Sequence, residues 1–105
     1  MIRIETLLQQ TEGLDAVELQ HWIDARWVLP EIEPEGYAFH EVDIARVRLI
    51  IELRHELLID EDAMPVLLNL LDQVYALRHR LKCLMQAIES LPEDMQALLR
   101  VNIKE

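Results

Sequence analysis

The sequence has few residues of the kinds that build turn-rich sheets, disulfide frameworks or membrane spans. Only two glycines and four prolines occur in 105 residues, which leaves little material for sheets with many tight turns or for disordered linkers. The single cysteine, Cys83, cannot form an internal disulfide. No apolar run approaches the roughly 18 residues of a membrane span, and the N-terminus lacks the apolar stretch of a signal peptide. These absences predict a mainly helical, cytoplasmic protein without a membrane segment.

Patterns typical of catalysis or cofactor binding are also missing. The sequence has no glycine-rich phosphate loop, and the string HELLI at residues 55–59 lacks the second histidine of a zinc protease motif. We expect none of the four histidines to have a ligand-type residue at i+4, and Cys83 has no second thiol. We therefore predict that the protein is not an enzyme and uses no metal or other cofactor.

Basic residues are half as numerous as acidic ones. Ten lysines and arginines stand against 20 aspartates and glutamates, which gives a formal charge of −10. Most of this excess lies in residues 1–45, where ten acids accompany only Arg3 and Arg26. Such a surface favours basic partners, because binding to DNA depends largely on cations that neutralise phosphates. DNA and anionic membranes are therefore poor candidate partners.

Helix caps and glycine divide the first part of the chain into short elements. Residues 6–10 predict a first helix, and Gly13 supplies the positive φ of a tight turn. Asp15, with Glu18 three residues later, predicts the N-cap of a second helix that ends near Trp27. The predicted apolar face of this second helix consists of Val17, Leu19, Trp22 and Ile23.

Two prolines separate this helix from the next one. Pro30 and Pro34 forbid helix and predict a two-stranded wing over residues 28–39. Helical spacing returns over residues 41–57, with Asp43 as a helix cap or framework hydrogen-bond acceptor. The predicted buried face of this third helix consists of Val42, Ala45, Leu49, Ile50, Leu53 and Leu57.

The segment from about Pro65 to residue 91 has the most regular spacing in the chain. Leucines recur every seven residues, with further apolar residues between them at alternating steps of four and three. Leucine at d positions, with β-branched residues at two of three a positions, favours a two-stranded coiled coil and hence a homodimer. The alternative is an amphipathic helix packed on its own domain, since Leu71 and Met85 widen the stripe. The predicted dimerisation residues are Leu70, Val74, Leu77, Leu81, Leu84, Ile88 and Leu91.

Together these elements predict a fold that is mainly all-α, in three segments. Residues 1–57 form a winged helix-turn-helix domain with a small two-stranded wing. Residues 58–91 form a long helix that Pro92 ends, and residues 92–105 form a short helical tail.

Several strings resemble known families. After a helix-turn-helix, the strings WVLP at 27–30, YAF at 37–39 and DIAR at 43–46 resemble the MerR-type winged helix domain over residues 1–57. More narrowly, the strings DIARVRLI, LRHEL and AMPVLLNLLD, which begin at residues 43, 53 and 63, resemble the chaperone-modulator family of the CbpM type over nearly the whole chain. Members of that family are cytoplasmic adaptors that bind the J-domain of a DnaJ-like co-chaperone, the curved-DNA-binding protein A (CbpA), and inhibit it. The resemblance therefore implies a J-domain partner.

Charge and resemblance together predict a partner-binding surface on the winged half. The family's partner is expected to present a basic helix, which acids on this half would attract and orient. The aromatics would lie at the centre of the contact and the acids at its rim. As alternatives, the aromatics are framework core, and the wing glutamates are a solvated face that protects an edge strand. The predicted partner-binding residues are Asp15, Glu18, Asp24, Trp27, Glu31, Glu33, Glu35 and Tyr37.

Two other functions stay open. A MerR-like DNA-binding transcription regulator would need basic residues on its recognition helix and wing, and Arg46 and Arg48 are expected to form surface ion pairs with neighbours such as Glu52 instead. An assembly module would only dimerise. The sequence does not set the orientation of the coiled coil, because Arg78 and Arg80 flank the seam without acidic mates.

Overall fold

The computed structural model describes residues 1–103, with side chains through residue 99, and divides into two compact units, Met1–Pro65 and Val66–Glu105. The predicted fold, mainly helical with a two-stranded wing and a long helix after it, is confirmed. We call the first unit the winged unit and the second the C-terminal unit. The elements in chain order are α1 (Ile4–Gln10), α2 (Ala16–Asp24), β1 (Glu31–Glu33), β2 (Gly36–Ala38), α3 (Glu41–Ile51), α4 (Met64–Glu89) and α5 (Glu93–Ile103).

Local signals position the two helices of the helix-turn-helix. Gly13, between α1 and α2, has a φ of +80°, as predicted for the turn. Asp15 Oδ1 accepts a hydrogen bond from the Glu18 amide at 2.7 Å, which confirms the predicted N-cap of α2. A short extended bridge between Ile2 and Phe39 joins the N-terminus to the end of the wing. The chain therefore brings α1, α2 and the wing together within its first 39 residues.

Helix α2 ends earlier than predicted, at Asp24 rather than near Trp27. The Trp27 amide donates to the Trp22 carbonyl at 2.9 Å, and the Arg26 amide donates to the Ile23 carbonyl at 3.0 Å. These two bonds form a Schellman turn, a helix ending whose left-handed residue is usually glycine. Arg26 occupies that position with a φ of +66°. The residue types do not indicate this ending, because no glycine is present there.

The predicted wing is present as an antiparallel hairpin. Strand β1 pairs with β2 so that Ile32 lies opposite Tyr37 and Glu33 lies opposite Gly36. Gly36, at the tip, has a φ of +127°, which few other residues adopt. The hairpin is short, and its amide groups on the outer edge of β1 face away from β2.

Helix α3 is rotated relative to the predicted buried face. Asp43 is buried and its Oδ2 accepts from the His40 amide at 2.9 Å, which confirms it as a capping residue. Val47 and Ile50 follow four and seven residues later, so they lie on the same face and are fully buried. The prediction was wrong for Val42, which is 74% exposed, because the cap at Asp43 sets the inward face of the helix. It was also wrong for Ala45 and Leu57, which are exposed, while Leu49 is half-buried.

Between α3 and α4 the backbone changes its pitch twice. Glu52–Glu56 forms a π-helical turn, which the Leu57 amide closes by donating to the Glu52 carbonyl at 2.9 Å. Leu58 then adopts a left-handed φ of +54°, and a 3-10 turn over Glu61–Ala63 leads into α4. Helix α4 starts one residue before Pro65, which confirms the predicted start. Proline is tolerated in the first turn, because the amides of that turn make no hydrogen bond within the helix.

Helices α1, α2 and α3 and strand β2 contribute buried residues to the core of the winged unit, whereas the residues of β1 are exposed or half-buried. The prediction of the buried face of α2 was wrong at one residue. Val17 is 81% exposed, because two residues turn a helix by about 200° and place it opposite Leu19. The buried apolar residues of this unit are Leu7, Leu14, Leu19, Trp22, Trp27, Val28, Ala38, Phe39, Val47, Ile50, Leu53 and Met64.

The C-terminal unit consists of most of α4 together with α5. Ile88 is buried, whereas the five earlier residues of the predicted seam, from Leu70 to Leu84, are between 41% and 61% exposed. Helix α4 ends at Glu89, so the predicted end at Leu91 is two residues too late. Helix α5 confirms the predicted helical tail; residues 104 and 105 and the side chain of Val101 lie outside the described residues. No helix among the described residues is long and apolar enough to cross a membrane.

Candidate functional site

The acids of α2 lie at its two ends and are fixed by different contacts. Asp15 is exposed and caps the first turn of the helix. At the other end, Gln20 Nε2 donates to Asp24 Oδ1 at 2.9 Å and to the Tyr37 hydroxyl at 3.3 Å. The structure therefore brings Asp24 and Tyr37 of the predicted surface together through Gln20, a link that the sequence did not suggest.

Two glutamates of the wing share one cation. Arg3 Nη2 lies 3.0 Å from Glu33 Oε2 and 3.0 Å from Glu35 Oε2, while Arg3 Nη1 is buried without a hydrogen-bond partner among the described residues. Ion pairs this exposed are worth about 0–1 kcal/mol, so they hold the wing loosely. Of the two glutamates, Glu35 is the more accessible to solvent, because its side chain is 74% exposed.

Three histidine–glutamate pairs each join separate elements of the winged unit. His40 Nε2 lies 2.7 Å from Glu31 Oε2, and His55 Nε2 lies 2.8 Å from Glu18 Oε1. The third pair joins His21 of α2 to Glu61 of the 3-10 turn. The hydrogen bond from His21 lowers the pKa of Glu61, so its carboxylate stays ionised to a lower pH than that of an ordinary glutamate. Sequence reasoning missed these pairs, because their members lie up to 40 residues apart.

The two aromatic residues of the predicted surface lie deeper than the acids. Trp27 is only 6% exposed, its ring meets that of His21 edge to face at 5.9 Å, and its carbonyl accepts from Arg46 Nε at 2.9 Å. This burial favours the alternative in which Trp27 is a framework residue. Tyr37 is half-buried, with its ring centre 6.4 Å from that of Phe39.

The apolar side chains that the winged unit does present to solvent were not expected. Val17 on α2 is 81% exposed and Ile32 on the wing is 82% exposed. A projection of the α2 sequence at about 100° per residue would have separated Val17 from the buried face. Val17 also lines a shallow groove of about 430 Å³ on the outer face of α2, together with Ala16, Gln20, His21 and Asp24.

One expectation about metal ligands was wrong. His79 does have a ligand-type residue at i+4, since Cys83 Sγ lies 3.6 Å from its Nε2 on the exposed surface of α4. Two ligands do not complete a zinc site, which takes three or four protein side chains. Within the part of the chain that the structure describes, no group of three or more His, Cys, Asp or Glu residues is placed to hold a metal ion.

Comparison with known families agrees with this architecture. The family model described as MerR HTH family regulatory protein matches residues 2–86, which include the whole of α1, α2, the wing and α3 and most of α4. No curated protein and no solved structure matches the chain. Since the family model covers far more than half of the sequence, the chain belongs to the MerR helix-turn-helix family of regulatory proteins.

Proposed function

We propose that this protein is a non-enzymatic chaperone modulator of the CbpM type. Its acidic winged unit binds the J-domain of a DnaJ-like co-chaperone of the CbpA type and blocks the access of that domain to an Hsp70-type chaperone. The observation that carries the proposal is the charge of α2, the helix that a helix-turn-helix protein would direct at DNA. Its outer face and ends present Asp15 and Asp24, with Arg26 as the one arginine at its end.

The arginines of the winged unit also support a protein partner over DNA. Arg3 pairs with wing glutamates, Arg46 donates to the Trp27 carbonyl, and Arg54 donates to the Ile59 carbonyl. A DNA-binding protein needs such cations at the phosphates, where each one releases counterions. In this chain three of them serve the fold of their own unit, so the cationic charge available to DNA is small.

An acidic winged unit suits a partner with a basic helix. Complementary charges raise the association rate and fix the orientation of the complex, and they add less to its affinity. The resemblance to the CbpM type supplies such a partner, because a J-domain is expected to present a basic helix. The mechanism is therefore steric and electrostatic competition for the J-domain surface.

The homodimer is the second part of the proposal. We propose that α4 pairs with α4 of a second copy along the heptad seam. Leu70, Leu77 and Leu84 are each more than half exposed in the single chain, as are Leu81 and Tyr75. Exposed leucines at heptad spacing favour a coiled coil, since burying each leucine contributes about 1.5–3 kcal/mol.

The test is a titration of the full chain against the isolated J-domain of the same organism's DnaJ-like co-chaperone, at low and high salt. We expect saturable binding whose association rate falls as salt rises. Reversing three wing charges, as Glu31→Lys, Glu33→Lys and Glu35→Lys together, should slow association and weaken the salt dependence. The matched control reverses the same number of exposed acids in the C-terminal unit, namely Glu89, Glu93 and Asp94. Association kinetics unchanged by salt would contradict the electrostatic mechanism.

The family match is equally compatible with one alternative, a MerR-like regulator that binds DNA. The same titration therefore includes a duplex DNA library. Saturable, sequence-selective DNA binding with no J-domain signal would overturn the chaperone-modulator proposal. Self-association without binding to either would leave an assembly module as the function.

A further inference from the structure

The middle of α4 carries cations without acids, in a chain that has twice as many acids as cations. Residues 73–88 include Arg78, Arg80 and Lys82 and no aspartate or glutamate. None of the three cations has an acid three or four residues away, the spacing at which helix residues pair. All three are exposed, and none forms an ion pair with another residue that the structure describes. We call these three cations the basic flank.

The basic flank lies beside the apolar seam of the same helix. At about 100° per residue, Arg78 and Arg80 project about 80° to either side of the centre of the seam, and Lys82 projects about 40° beyond Arg78. The seam residues Leu77 and Leu81 are 61% and 58% exposed. The cations therefore border the surface that the proposed homodimer would cover.

The proposed homodimer would bring two basic flanks together. In a parallel pair, each side of the seam carries Arg78 and Lys82 of one copy and Arg80 of the other, because e positions of one helix lie beside g positions of the second. In an antiparallel pair the middles of the two seams meet, and both arginines lie within one turn of Leu77, the middle of the exposed seam. In either orientation like charges of two copies come close, which costs binding energy. The dimer therefore needs a counter-charge that the middle of α4 does not supply.

We propose that the basic flanks of two copies form a binding site for a compact multivalent phosphate anion, which stabilises the homodimer. The site is incomplete in one copy, because each side of the pair carries cations of both. The planar guanidinium of arginine binds phosphate oxygens bidentately, and lysine adds a point charge. This inference rests on the proposed homodimer and assigns it a ligand that regulates it.

The size of the basic flank and the charge of the whole chain favour a compact anion over a nucleic acid. From Arg78 to Lys82 the flank extends about 6 Å along the helix, which suits a short chain of phosphates. An extended polyanion would also reach the acids that give the chain its formal charge of −10, and these would repel it.

The first experiment measures self-association of the full chain by sedimentation equilibrium, at constant ionic strength, with and without tripolyphosphate. We expect saturating tripolyphosphate to lower the dissociation constant of the dimer by about ten-fold, because an anion that binds only the dimer stabilises it by mass action. Magnesium-free ATP should act equally, since the cations recognise its phosphates. A response to ATP without a response to tripolyphosphate would overturn the assignment to a phosphate chain.

The second experiment compares Arg80→Gln on α4 with Arg48→Gln on α3. Both variants remove one exposed arginine from a helix and change the net charge equally, and glutamine has nearly the helix propensity of arginine. We expect Arg80→Gln to associate more tightly than the parent without the anion, because repulsion is reduced, and to lose most of its response to tripolyphosphate. Arg48→Gln should match the parent chain in both conditions.

The outcomes separate this site from the proposed function on which it rests. A parent dimer that ignores tripolyphosphate, or equal responses in the two variants, would overturn the anion site and leave the coiled coil intact. A parent chain that stays monomeric with and without tripolyphosphate would overturn the site and the homodimer together. J-domain binding is measured on the same samples, and its absence beside an anion-dependent dimer would overturn the chaperone-modulator proposal while supporting the anion site.

Discussion

The two units of this protein differ in how far each one buries its own apolar side chains and pairs its own charged ones. In the winged unit, apolar residues from α1, α2, the wing and α3 are buried, and Arg3, His40 and His55 pair with acids of the same unit. In the C-terminal unit, the described apolar residues of α4 are mostly exposed, with Leu68 and Ile88 as the buried ones. The winged unit is folded around a core, while α4 of the C-terminal unit carries a stripe of exposed apolar side chains.

This difference matches the separate tasks that we propose for the two units. Isolated helices are marginal in water and owe most of their stability to packing of an apolar face, which is why we propose that α4 pairs with a second copy. The winged unit has its own buried core, and we propose that its charged surface serves recognition. Trp22 and Trp27 both lie in the winged unit, so tryptophan fluorescence reports its unfolding selectively. The two tasks can therefore be measured separately.

The largest expected effect is on the core of the winged unit. Phe39 is fully buried, and replacing it by alanine should lower the free energy of unfolding by about 3–5 kcal/mol. Urea unfolding followed by tryptophan fluorescence measures the change. Ile32→Ala on the same wing, where the side chain is 82% exposed, should stay within about 0.5 kcal/mol. Equal effects of the two variants would mean that the wing is not part of the core.

The second effect is on self-association, and it should leave the winged unit untouched. Leu77→Asp places a charge in the predicted seam and should weaken the dimer by about 30-fold or more, since a buried unpaired charge costs several kcal/mol. Tyr75→Asp is the matched control, because Tyr75 is similarly exposed but lies outside the seam. Sedimentation equilibrium measures both variants. If they dissociate alike, or if the parent chain is monomeric, the coiled-coil proposal is wrong.

How much the sequence could predict depended on how local each signal was. The Asp15 cap, the Gly13 turn and the helix start near Pro65 were predicted, because each depends on a few adjacent residues. The faces of α2 and α3 were partly wrong at Val17 and Val42, because several apolar residues lie outside the buried stripe and periodicity alone does not say which side packs.

The candidate site was predicted in its charge but not in its geometry. The excess of acids was visible in the sequence, but their partners were not. The contacts of Arg3 with Glu33 and of His21 with Glu61 depend on the fold, since they join residues 30 and 40 positions apart. The burial of Trp27 was one of two predicted alternatives. It depends on a Schellman turn that could not be predicted, because the position usually taken by glycine is occupied by arginine.

The third expected effect concerns backbone strain in the turn between α1 and α2. Gly13 has a φ of +80°, and a Cβ built there would meet no atom within 4 Å, so only backbone strain opposes a side chain. Gly13→Ala should lower the free energy of unfolding by about 1 kcal/mol. Gly13→Asn should cost less, because asparagine tolerates the left-handed region. Fluorescence-detected unfolding of both variants tests the order, and equal costs would contradict strain as the cause.

The fourth effect has the opposite sign. Leu58 adopts a φ of +54° while its side chain is 76% exposed, so it combines strain with unburied apolar area. Leu58→Gly should raise the free energy of unfolding by about 0.5 kcal/mol, which is the strain removed less the entropy that glycine loses on folding. Leu57→Gly is the control, since Leu57 is also exposed but has an ordinary φ of −91°. A gain in both variants would point to exposure rather than strain.

The smallest effect concerns the acid range and tests the link between α2 and the 3-10 turn. His21 lowers the pKa of Glu61 below its ordinary value of 4.5, so the carboxylate stabilises the folded state above that value. This contribution is lost as pH falls below 4.5 through the lower folded pKa. Glu61→Gln should therefore be less stable than the parent near neutral pH, and the difference should shrink on acidification below pH 4.5.

The control for this last effect is the same substitution made in a His21→Ala background. Removing His21 removes the first cause of the lowered pKa, so Glu61→Gln should then change stability little at any pH. A persistent, pH-dependent difference in that background would assign the effect to Arg54, which also lowers the pKa of Glu61. The stabilising contact would then lie between Glu61 and Arg54, and the 3-10 turn would be held by the π-helical turn after α3 rather than by α2.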